Sequence, residues 1–111
     1  MNTPARHPVL PDRPTLADIQ KYIDRTNQYR NHRTDLLYCM LLLCEETGEL
    51  AKAVRKQVGG KIDPAKPRAG EAEEEAADVL WLLVAVCNAL HIDLEEALRN
   101  KEEKNKQRVW K

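Results

Sequence analysis

Two clusters of acidic residues interrupt the apolar stretches of this chain. Glu45, Glu46 and Glu49 follow a leucine-rich run, and Glu75 and Asp78 come directly before a second apolar run. Burying several carboxylates is costly unless a positive charge neutralises them. A hard divalent cation, which prefers oxygen ligands, is the simplest source of that charge. The residue types therefore predict a metal site built from carboxylates.

The spacing within each cluster places its side chains on one face of a helix. Residues three apart on a helix project to the same side, which pairs Glu46 with Glu49 and Glu75 with Asp78. The first segment is apolar and then acidic, whereas the second is acidic and then apolar. If a loop of about a dozen residues joins these helices as antiparallel neighbours, both acidic segments lie at the same height. We therefore expect these four carboxylates to converge on one site.

The predicted ligand set favours Mg²⁺, with Mn²⁺ as the second choice, because four carboxylates make an oxygen-rich pocket. A di-iron helical bundle would use Glu-x-x-His pairs, and His7, His32 and His91 all lie outside the acidic segments. No spacing of cysteine and histidine fits zinc. Either acidic motif alone is typical of a solvated helix face. The hypothesis depends on finding both motifs on consecutive apolar helices.

The beginning of the chain differs from the rest because it is rich in proline, which disfavours helix. Residues 1–14 are predicted to form an extended arm, and residues 15–111 to form one all-α domain. A domain of this size buries only about two-thirds of its unfolded surface. A helical bundle of this length therefore gains stability by oligomerising.

Four helices account for the rest of the chain, in a predicted four-helix antiparallel bundle. Thr15, with an acid three residues on, predicts the first helix start, and Asp93 with Glu96 predicts a capping box for the last helix. The predicted helices span residues 15–30, 34–58, 71–90 and 94–107, and residues 61–70 form a loop. The predicted buried stripe of the second helix is Leu36, Leu37, Met40, Leu43, Cys44, Ala51 and Val54, flanked by Cys39, Leu41 and Leu42, and that of the fourth is Leu94, Ala97 and Leu98.

Composition narrows the class of protein. Lys plus Arg and Asp plus Glu both total 18, so the net charge is zero, which argues against nucleic-acid and membrane-surface partners. Cys39, Cys44 and Cys87 lie in apolar helical runs, a placement typical of reduced thiols in an intracellular protein. The first residues lack the apolar core of a signal peptide, and the longest apolar stretch is too short to cross a membrane. We therefore expect a cytoplasmic protein.

Three motifs together resemble those of the MazG-like nucleotide pyrophosphohydrolases, an all-α NTP pyrophosphatase superfamily. They are E-E-T-G-E-L at 45–50, E-A-A-D-V-L at 75–80 and K-E-E-K-N-K-Q-R at 101–108. The resemblance extends over residues 16–108. It implies Mg²⁺-dependent hydrolysis of a nucleoside triphosphate to the monophosphate and pyrophosphate, with a role in cleansing the nucleotide pool. It also implies a homodimer or homotetramer whose active sites are built partly by a neighbouring subunit.

The same resemblance implies catalytic and metal-binding roles for the acidic residues. Its metal ligands match Glu46, Glu49, Glu75 and Asp78. Glu45 matches the first acid of the family motif, which orients the attacking water or supports the ligands. Glu45 and Glu46 are therefore the candidate catalytic residues.

The resemblance also assigns substrate binding to the last helix, at Lys101, Asn105 and Arg108. Cations at that end are alternatively explained by the helix dipole, which favours positive charge near a helix C-terminus.

The aromatic residues leave the base preference open. The first helix lacks the aromatic-rich motif with which some family members grip the base. Trp81 is interpreted first as a core residue and second as a residue that stacks on a base. Tyr22, Tyr29 and Tyr38 are candidates for base or sugar contacts.

Two other functions fit the same sequence. One is phosphoribosyl-ATP pyrophosphatase, an activity of the same superfamily, which a substrate panel distinguishes. The other is a non-catalytic oligomeric bundle that binds nucleotide without turning it over.

Overall fold

The structure is a computed structural model that describes residues 3–59 and 71–109, and the regular structure of these residues is entirely helical. The helices are α1 (Leu16–Tyr29), α2 (Leu36–Gly59), α3 (Glu71–Ala89) and α4 (Leu94–Lys106). The all-α prediction is confirmed for this part of the chain. The predicted loop at 61–70 lies outside the described residues.

Both ends of α1 are set by local interactions. The Thr15 hydroxyl accepts a hydrogen bond from the Asp18 amide, and the Asp18 carboxylate accepts one from the Thr15 amide, both at 3.0 Å. This capping box satisfies two amides at the helix start, and its hydrogen bonds to the Thr15 backbone and side chain lower the pKa of Asp18. Beyond the helix, Asn31 takes a left-handed φ of 56°, which asparagine tolerates well. The predicted helix start is therefore confirmed.

Helices α2 and α3 form the antiparallel pair that carries the acidic residues. Near the start of α2, Cys39 packs against Ala85 and Val86, near the end of α3. Further along α2, Glu46 lies beside Glu75, near the start of α3. Helices α2 and α3 are therefore antiparallel, as the sequence predicted.

Helix α1 packs on another side of α3, also in the antiparallel sense. Gln20 donates a hydrogen bond to Asn88 at 3.1 Å, and Trp81 donates one to Asn27 at 3.0 Å. Glutamine, asparagine and tryptophan side chains therefore form hydrogen bonds across this contact. The buried residues of α1 are Ile23, Thr26 and Asn27.

Helix α4 departs from the antiparallel arrangement that we predicted for the whole bundle, because α3 and α4 are bent by 94° relative to each other. His91 takes a φ of 57° in the turn between them. Gln20 of α1 holds this turn, since its amide nitrogen donates to the Ile92 carbonyl at 2.7 Å and its amide oxygen accepts from the Leu94 amide at 2.9 Å. Asp93 caps α4 at its N-terminus. The helix then packs on α1.

The prediction of a buried apolar stripe on α2 is wrong for a single chain. Leu37 is 70% exposed and Leu41 is 62% exposed. Among the described helices, α2 packs extensively only on α3, so its other sides stay uncovered. Leu98 of α4, predicted to point inward, is 59% exposed for a similar reason. The other exposed members of the predicted stripes are Leu36, Met40, Cys44, Ala51, Val54 and Ala97.

The chain is more open than a compact domain of its length. Its radius of gyration is 17.1 Å, whereas a compact chain of this length is expected near about 13 Å. Much apolar surface consequently lies on the outside of the single chain. Within 3–59 and 71–109, no individual helix combines the length and apolarity needed to cross a membrane.

Candidate functional site

Three acidic side chains from two helices meet at the predicted metal site. Glu46 of α2 and Glu75 and Asp78 of α3 each place a carboxylate oxygen within 4.8 Å of the other two. Glu75 and Asp78 share a helix face because they are three residues apart. We call these three residues the acidic cluster. Oxygen atoms this close are suited to bind one divalent cation.

The electrostatics of the acidic cluster favour a positive ligand. Burial raises the pKa of Glu46, and a hydrogen bond with Glu75 raises it further, as do the charges of Asp78, Glu75 and Glu45. The Oε2 atom of Glu75 is buried and has no hydrogen-bond partner, an arrangement that costs free energy. A cation bound here would relieve both the repulsion between carboxylates and the unsatisfied oxygen.

Glu49, the fourth predicted ligand, is not part of the acidic cluster. It lies one turn further along α2 and lines a neighbouring cleft of about 140 Å³, which Glu75 also lines. Glu71 and Glu74 also line this cleft, and the sequence analysis did not predict them. Each lies four residues before a predicted ligand, Glu75 or Asp78. The remaining residues of the cleft are Lys52, Ala53 and Lys56.

Glu45 is exposed, and its charge acts on the neighbouring Glu46. It is accessible to a water molecule approaching the acidic cluster from solvent. Its predicted catalytic role stays a prediction.

A second cleft, which we call the aromatic cleft, has a volume of about 280 Å³. It shares both helices with the acidic cluster, because Leu42 precedes Glu46 by four residues and Leu82 follows Asp78 by four. Four residues of helix rise about 6 Å. The aromatic cleft therefore begins about one helical turn from the acidic cluster. It is lined by Asn27, His32, Arg33, Tyr38, Cys39, Leu42, Trp81, Leu82 and Ala85.

Trp81 forms a wall of the aromatic cleft and is held in a defined orientation. Its indole N–H donates to Asn27 Oδ1 at 3.0 Å, and His32 Nδ1 lies 3.2 Å from the same oxygen. The Arg30 guanidinium lies 5.4 Å from the centre of the Trp81 ring, and Tyr22 meets that ring edge-on at 6.0 Å. Trp81 is thus half-buried, and it both packs on α1 and lines the cleft.

The three tyrosines that the sequence offered as nucleoside contacts lie in different places. Tyr38 lines the aromatic cleft, where Arg33 lies 4.5 Å from its ring centre. Tyr22 packs on Trp81, and Tyr29 packs on His7 of the arm. Of the three, Tyr38 is the one that reaches the cleft surface.

The predicted substrate-binding residues of α4 are not gathered at the acidic cluster of the same chain. Lys101 is exposed, Asn105 is half-buried, and Arg108 follows the end of the helix. Helix α4 leaves the far end of α3 at a steep angle and packs on α1. Within one chain, Lys101 in α4 and Arg108 just beyond it therefore belong to a different helix pair from the acidic cluster of α2 and α3.

Comparison with known proteins identifies the domain that contains the acidic cluster. The family model of the MazG nucleotide pyrophosphohydrolase domain matches residues 35–110. The chain belongs to the MazG family. The matched range includes the acidic cluster and all of α4, so the resemblance seen in the sequence is confirmed.

Two relatives show the range of proteins that this MazG domain is similar to. YpjD of Bacillus subtilis, named as an uncharacterized protein, is 42% identical over 84 residues, or 75% of this chain and 76% of YpjD. Mouse (Mus musculus) dCTP pyrophosphatase 1 is 35% identical over 104 residues, or 86% of this chain. The matched region spans only 59% of the length of the mouse protein.

A solved structure confirms the fold. The crystal structure of YPJD from Bacillus subtilis, described there as a candidate pyrophosphatase, superposes with a TM-score of 0.71 at 38% sequence identity. The match covers 88% of this chain and 99% of that chain. The all-helical architecture is therefore shared with a known protein.

Proposed function

We propose that this MazG domain is a divalent-metal-dependent nucleoside triphosphate pyrophosphohydrolase, which converts a (d)NTP and water to the (d)NMP and pyrophosphate. The observation that carries the proposal is the acidic cluster, whose three carboxylates lie within 4.8 Å of one another. Family membership supports the reaction class, and the mouse relative, named a dCTP pyrophosphatase, supports a deoxynucleotide substrate. The proposed role is cleansing of the cytoplasmic nucleotide pool, with which the free thiols of Cys39, Cys44 and Cys87 agree.

The residues present fit a bound Mg²⁺, with Mn²⁺ as the alternative. The donors are all carboxylate oxygens, which both cations prefer, and the partnerless Oε2 of Glu75 is an available acceptor. Glu46, Glu75 and Asp78 would hold the cation, with Glu49 as the fourth proposed ligand. When bound, the cation neutralises the triphosphate and stabilises charge on the departing pyrophosphate.

Glu45 and Glu46 are the residues to which we assign the handling of water. The water oxygen bonds to the α-phosphorus, the bond to the bridging oxygen breaks, and pyrophosphate leaves with that oxygen. A carboxylate beside the site accepts the proton that the water loses. Glu46 belongs to the acidic cluster, so we assign it as the ligand next to the water. The exposed neighbour Glu45 is assigned as the base that orients the water.

The aromatic cleft is the proposed site of the nucleoside. It lies about one helical turn from the acidic cluster, and Trp81 and Tyr38 offer aromatic surfaces to a base. Asn27 and His32 provide polar groups at its wall. A triphosphate held at the acidic cluster would therefore direct its nucleoside toward this cleft.

A second copy of the chain is the proposed source of Lys101, Asn105 and Arg108. Within one chain, α4 leaves the far end of α3 at about a right angle and packs on α1. The exposed leucines of α2 supply apolar surface for an interface. We propose a homodimer or homotetramer in which α4 of one subunit reaches the site of another. Size-exclusion chromatography with light scattering checks the assembly, and a monomer at working concentration would contradict it.

The decisive experiment is a pyrophosphate-release assay on the full chain. The substrates are the standard NTPs and dNTPs, several modified dNTPs and phosphoribosyl-ATP, each with Mg²⁺, with Mn²⁺ and with EDTA. We expect metal-dependent release of pyrophosphate together with the monophosphate, resolved by chromatography. Turnover of phosphoribosyl-ATP and of no other substrate would identify the protein as a phosphoribosyl-ATP pyrophosphatase. Tight nucleotide binding without turnover would identify the non-catalytic bundle instead.

A further inference from the structure

The N-terminal arm is packed on the body of the protein. Residues 3–14 contain no helix and lie against α1, where the two enclose a cleft of about 630 Å³. The centre of the His7 ring lies 5.1 Å from that of Tyr29, in an edge-on arrangement, and 6.5 Å from that of Tyr22. His7 therefore docks the arm between two tyrosines of α1.

The hydrogen-bond partners of His7 indicate which ring nitrogen donates and which accepts. Its Nδ1 lies 2.8 Å from the Pro8 carbonyl oxygen, which can only accept, so Nδ1 carries a hydrogen. Its Nε2 lies 3.3 Å from Nη2 of Arg30, and a guanidinium can only donate, so Nε2 must be unprotonated. His7 thus links the backbone of the arm to Arg30 through its two ring nitrogens.

Two contacts continue from His7 to the wall of the aromatic cleft. Arg30 also lies 5.4 Å from the centre of the Trp81 ring, and Tyr22 meets both the His7 and the Trp81 rings. Neither Arg30 nor Tyr22 lines the aromatic cleft. They act on Trp81 from outside the cleft.

We propose that His7 and Arg30 are positioning residues for the nucleotide site, because the docked arm fixes Arg30 over Trp81 and so fixes one wall of the aromatic cleft. The inference rests on the proposed function in assigning the cleft to the nucleoside. Cation–π contacts of partly exposed residues stabilise by amounts that correspond to about a twofold to fivefold change in an equilibrium. A change of that size in nucleotide affinity is expected when the arm is released.

The first test follows Trp81 directly, without nucleotide. The chain has two tryptophans, so Trp110→Phe leaves Trp81 as the single emitter. In that background we expect His7→Ala and Arg30→Ala to shift the Trp81 emission spectrum. Val9→Ala is the matched control, because Val9 lies on the same arm and is 85% exposed; it should leave the spectrum unchanged. Equal spectra for His7→Ala and Val9→Ala would overturn the proposal, whether or not any nucleotide is a substrate.

The second test uses a conservative variant. Glutamine can accept a hydrogen bond from Arg30, as His7 Nε2 does. In the Trp110→Phe background, we expect His7→Gln to shift the Trp81 emission less than His7→Ala does. Equal shifts for His7→Gln and His7→Ala would contradict a role for the bond to Arg30.

The third test is kinetic. With the best substrate from the pyrophosphate assay, His7→Ala should raise KM by about twofold to fivefold and leave kcat within about twofold, since the acidic cluster is untouched. Val9→Ala should change neither constant. A fall in kcat with unchanged KM would contradict a positioning role. If no nucleotide is turned over, the proposed function fails and the emission tests still decide whether the arm positions Trp81.

Discussion

The two ends of the α2–α3 pair differ sharply in how their side chains are satisfied. At one end, Cys39 packs on Ala85 and Val86, and all three are buried. At the other end, Glu46 lies beside Glu75. The pKa of Glu46 is raised, and the Oε2 atom of Glu75 has no hydrogen-bond partner. The same two helices thus build a buried apolar contact at one end and, at the other end, an acidic site that a cation would stabilise.

The difference shows that stability and function are separated along the helices. At the apolar end, the buried contact of Cys39 with Ala85 and Val86 gains free energy by excluding water. The acidic end costs free energy until a cation binds. Substitutions at the acidic end should therefore damage activity, whereas substitutions at the apolar end should damage folding.

The largest expected effect is the loss of activity when a carboxylate of the acidic cluster is neutralised. We expect Glu75→Gln and Asp78→Asn each to lower kcat/KM at least about 100-fold, since even outer partners of metal ligands cost up to that factor. Helicity measured by circular dichroism should not change. Glu73→Gln is the matched control, an exposed acid on the same helix. Wild-type rates for Glu75→Gln would exclude this residue from the metal site.

The next effect is stabilisation by the metal itself. A free Mg²⁺ concentration 100 times its dissociation constant should add about 2.7 kcal/mol to the free energy of unfolding, measured by urea titration with Mg²⁺ and with EDTA. Glu46→Gln should be more stable than wild type in EDTA, because one repelling charge is gone. It should also respond less to Mg²⁺. An unchanged midpoint for wild type with Mg²⁺ would argue against a metal site.

The same cluster predicts a pH dependence in EDTA. The pKa of Glu46 is raised in the folded protein from its ordinary value of 4.5, so the folded state keeps this proton to higher pH than the unfolded state. Its contribution to stability is full below the ordinary pKa and is lost as pH rises through the raised one. Glu46→Gln should remove this part of the dependence. A wild-type profile that rises over that range relative to the variant would contradict the assignment.

At the apolar end, the expected effect is on folding. Val84 is fully buried, at 0% exposure, and Val84→Ala should destabilise the fold by about 2 kcal/mol, through lost burial and the cavity left behind. Activity per folded molecule should be retained. Val109→Ala, at a position that is 84% exposed, is the control and should stay within about 0.5 kcal/mol of wild type. Equal changes in the free energy of unfolding for Val84→Ala and Val109→Ala would contradict a stabilising role for the apolar end.

The smallest effect concerns the start of α1, away from both ends of the pair. Thr15→Ala should cost about 1 kcal/mol through loss of the capping box. Because the pKa of Asp18 is lowered by its bonds to Thr15, the contribution of Asp18 is present at neutral pH and is lost as pH falls through the lowered pKa. Because the Asp18 carboxylate accepts from the Thr15 backbone amide, Asp18→Ala removes this contribution, and wild type and Asp18→Ala should approach each other in stability in acid. A gap that widens in acid would contradict the sign.

Local sequence signals predicted the helices and the meeting of the acids well. Thr15 with Asp18 marked the start of α1, and the two acid pairs predicted the antiparallel register that joins Glu46 to Glu75. Both predictions rest on helical periodicity, which acts over a few residues. The position of Glu49 was less predictable, because a shift of one helical turn is enough to move a carboxylate into the next cleft.

The features that the sequence did not predict depend on long-range contacts. The direction of α4 is stabilised by the hydrogen bonds of Gln20 to Ile92 and Leu94, in the turn between α3 and α4. The exposure of Leu37 and Leu41 follows from which helices of one chain reach α2. The link from His7 through Arg30 to Trp81 joins three segments that no periodicity relates. Such contacts become visible only when the chain is folded.

The hydrogen bonds of Gln20 to Ile92 and Leu94 fix the N-terminal end of α4, so a small rotation there moves the other end of the helix. The helix is 13 residues long, or about 20 Å; it packs on α1, and the Gln20 side-chain amide holds the turn at its N-terminal end. A tilt of about 5° at that turn would swing the far end by about 2 Å. A shift of 1 Å in a binding group can already cost about 100-fold in rate. The proposed contact of Asn105 with a phosphate would therefore depend on the hydrogen bonds of Gln20 to the turn before α4.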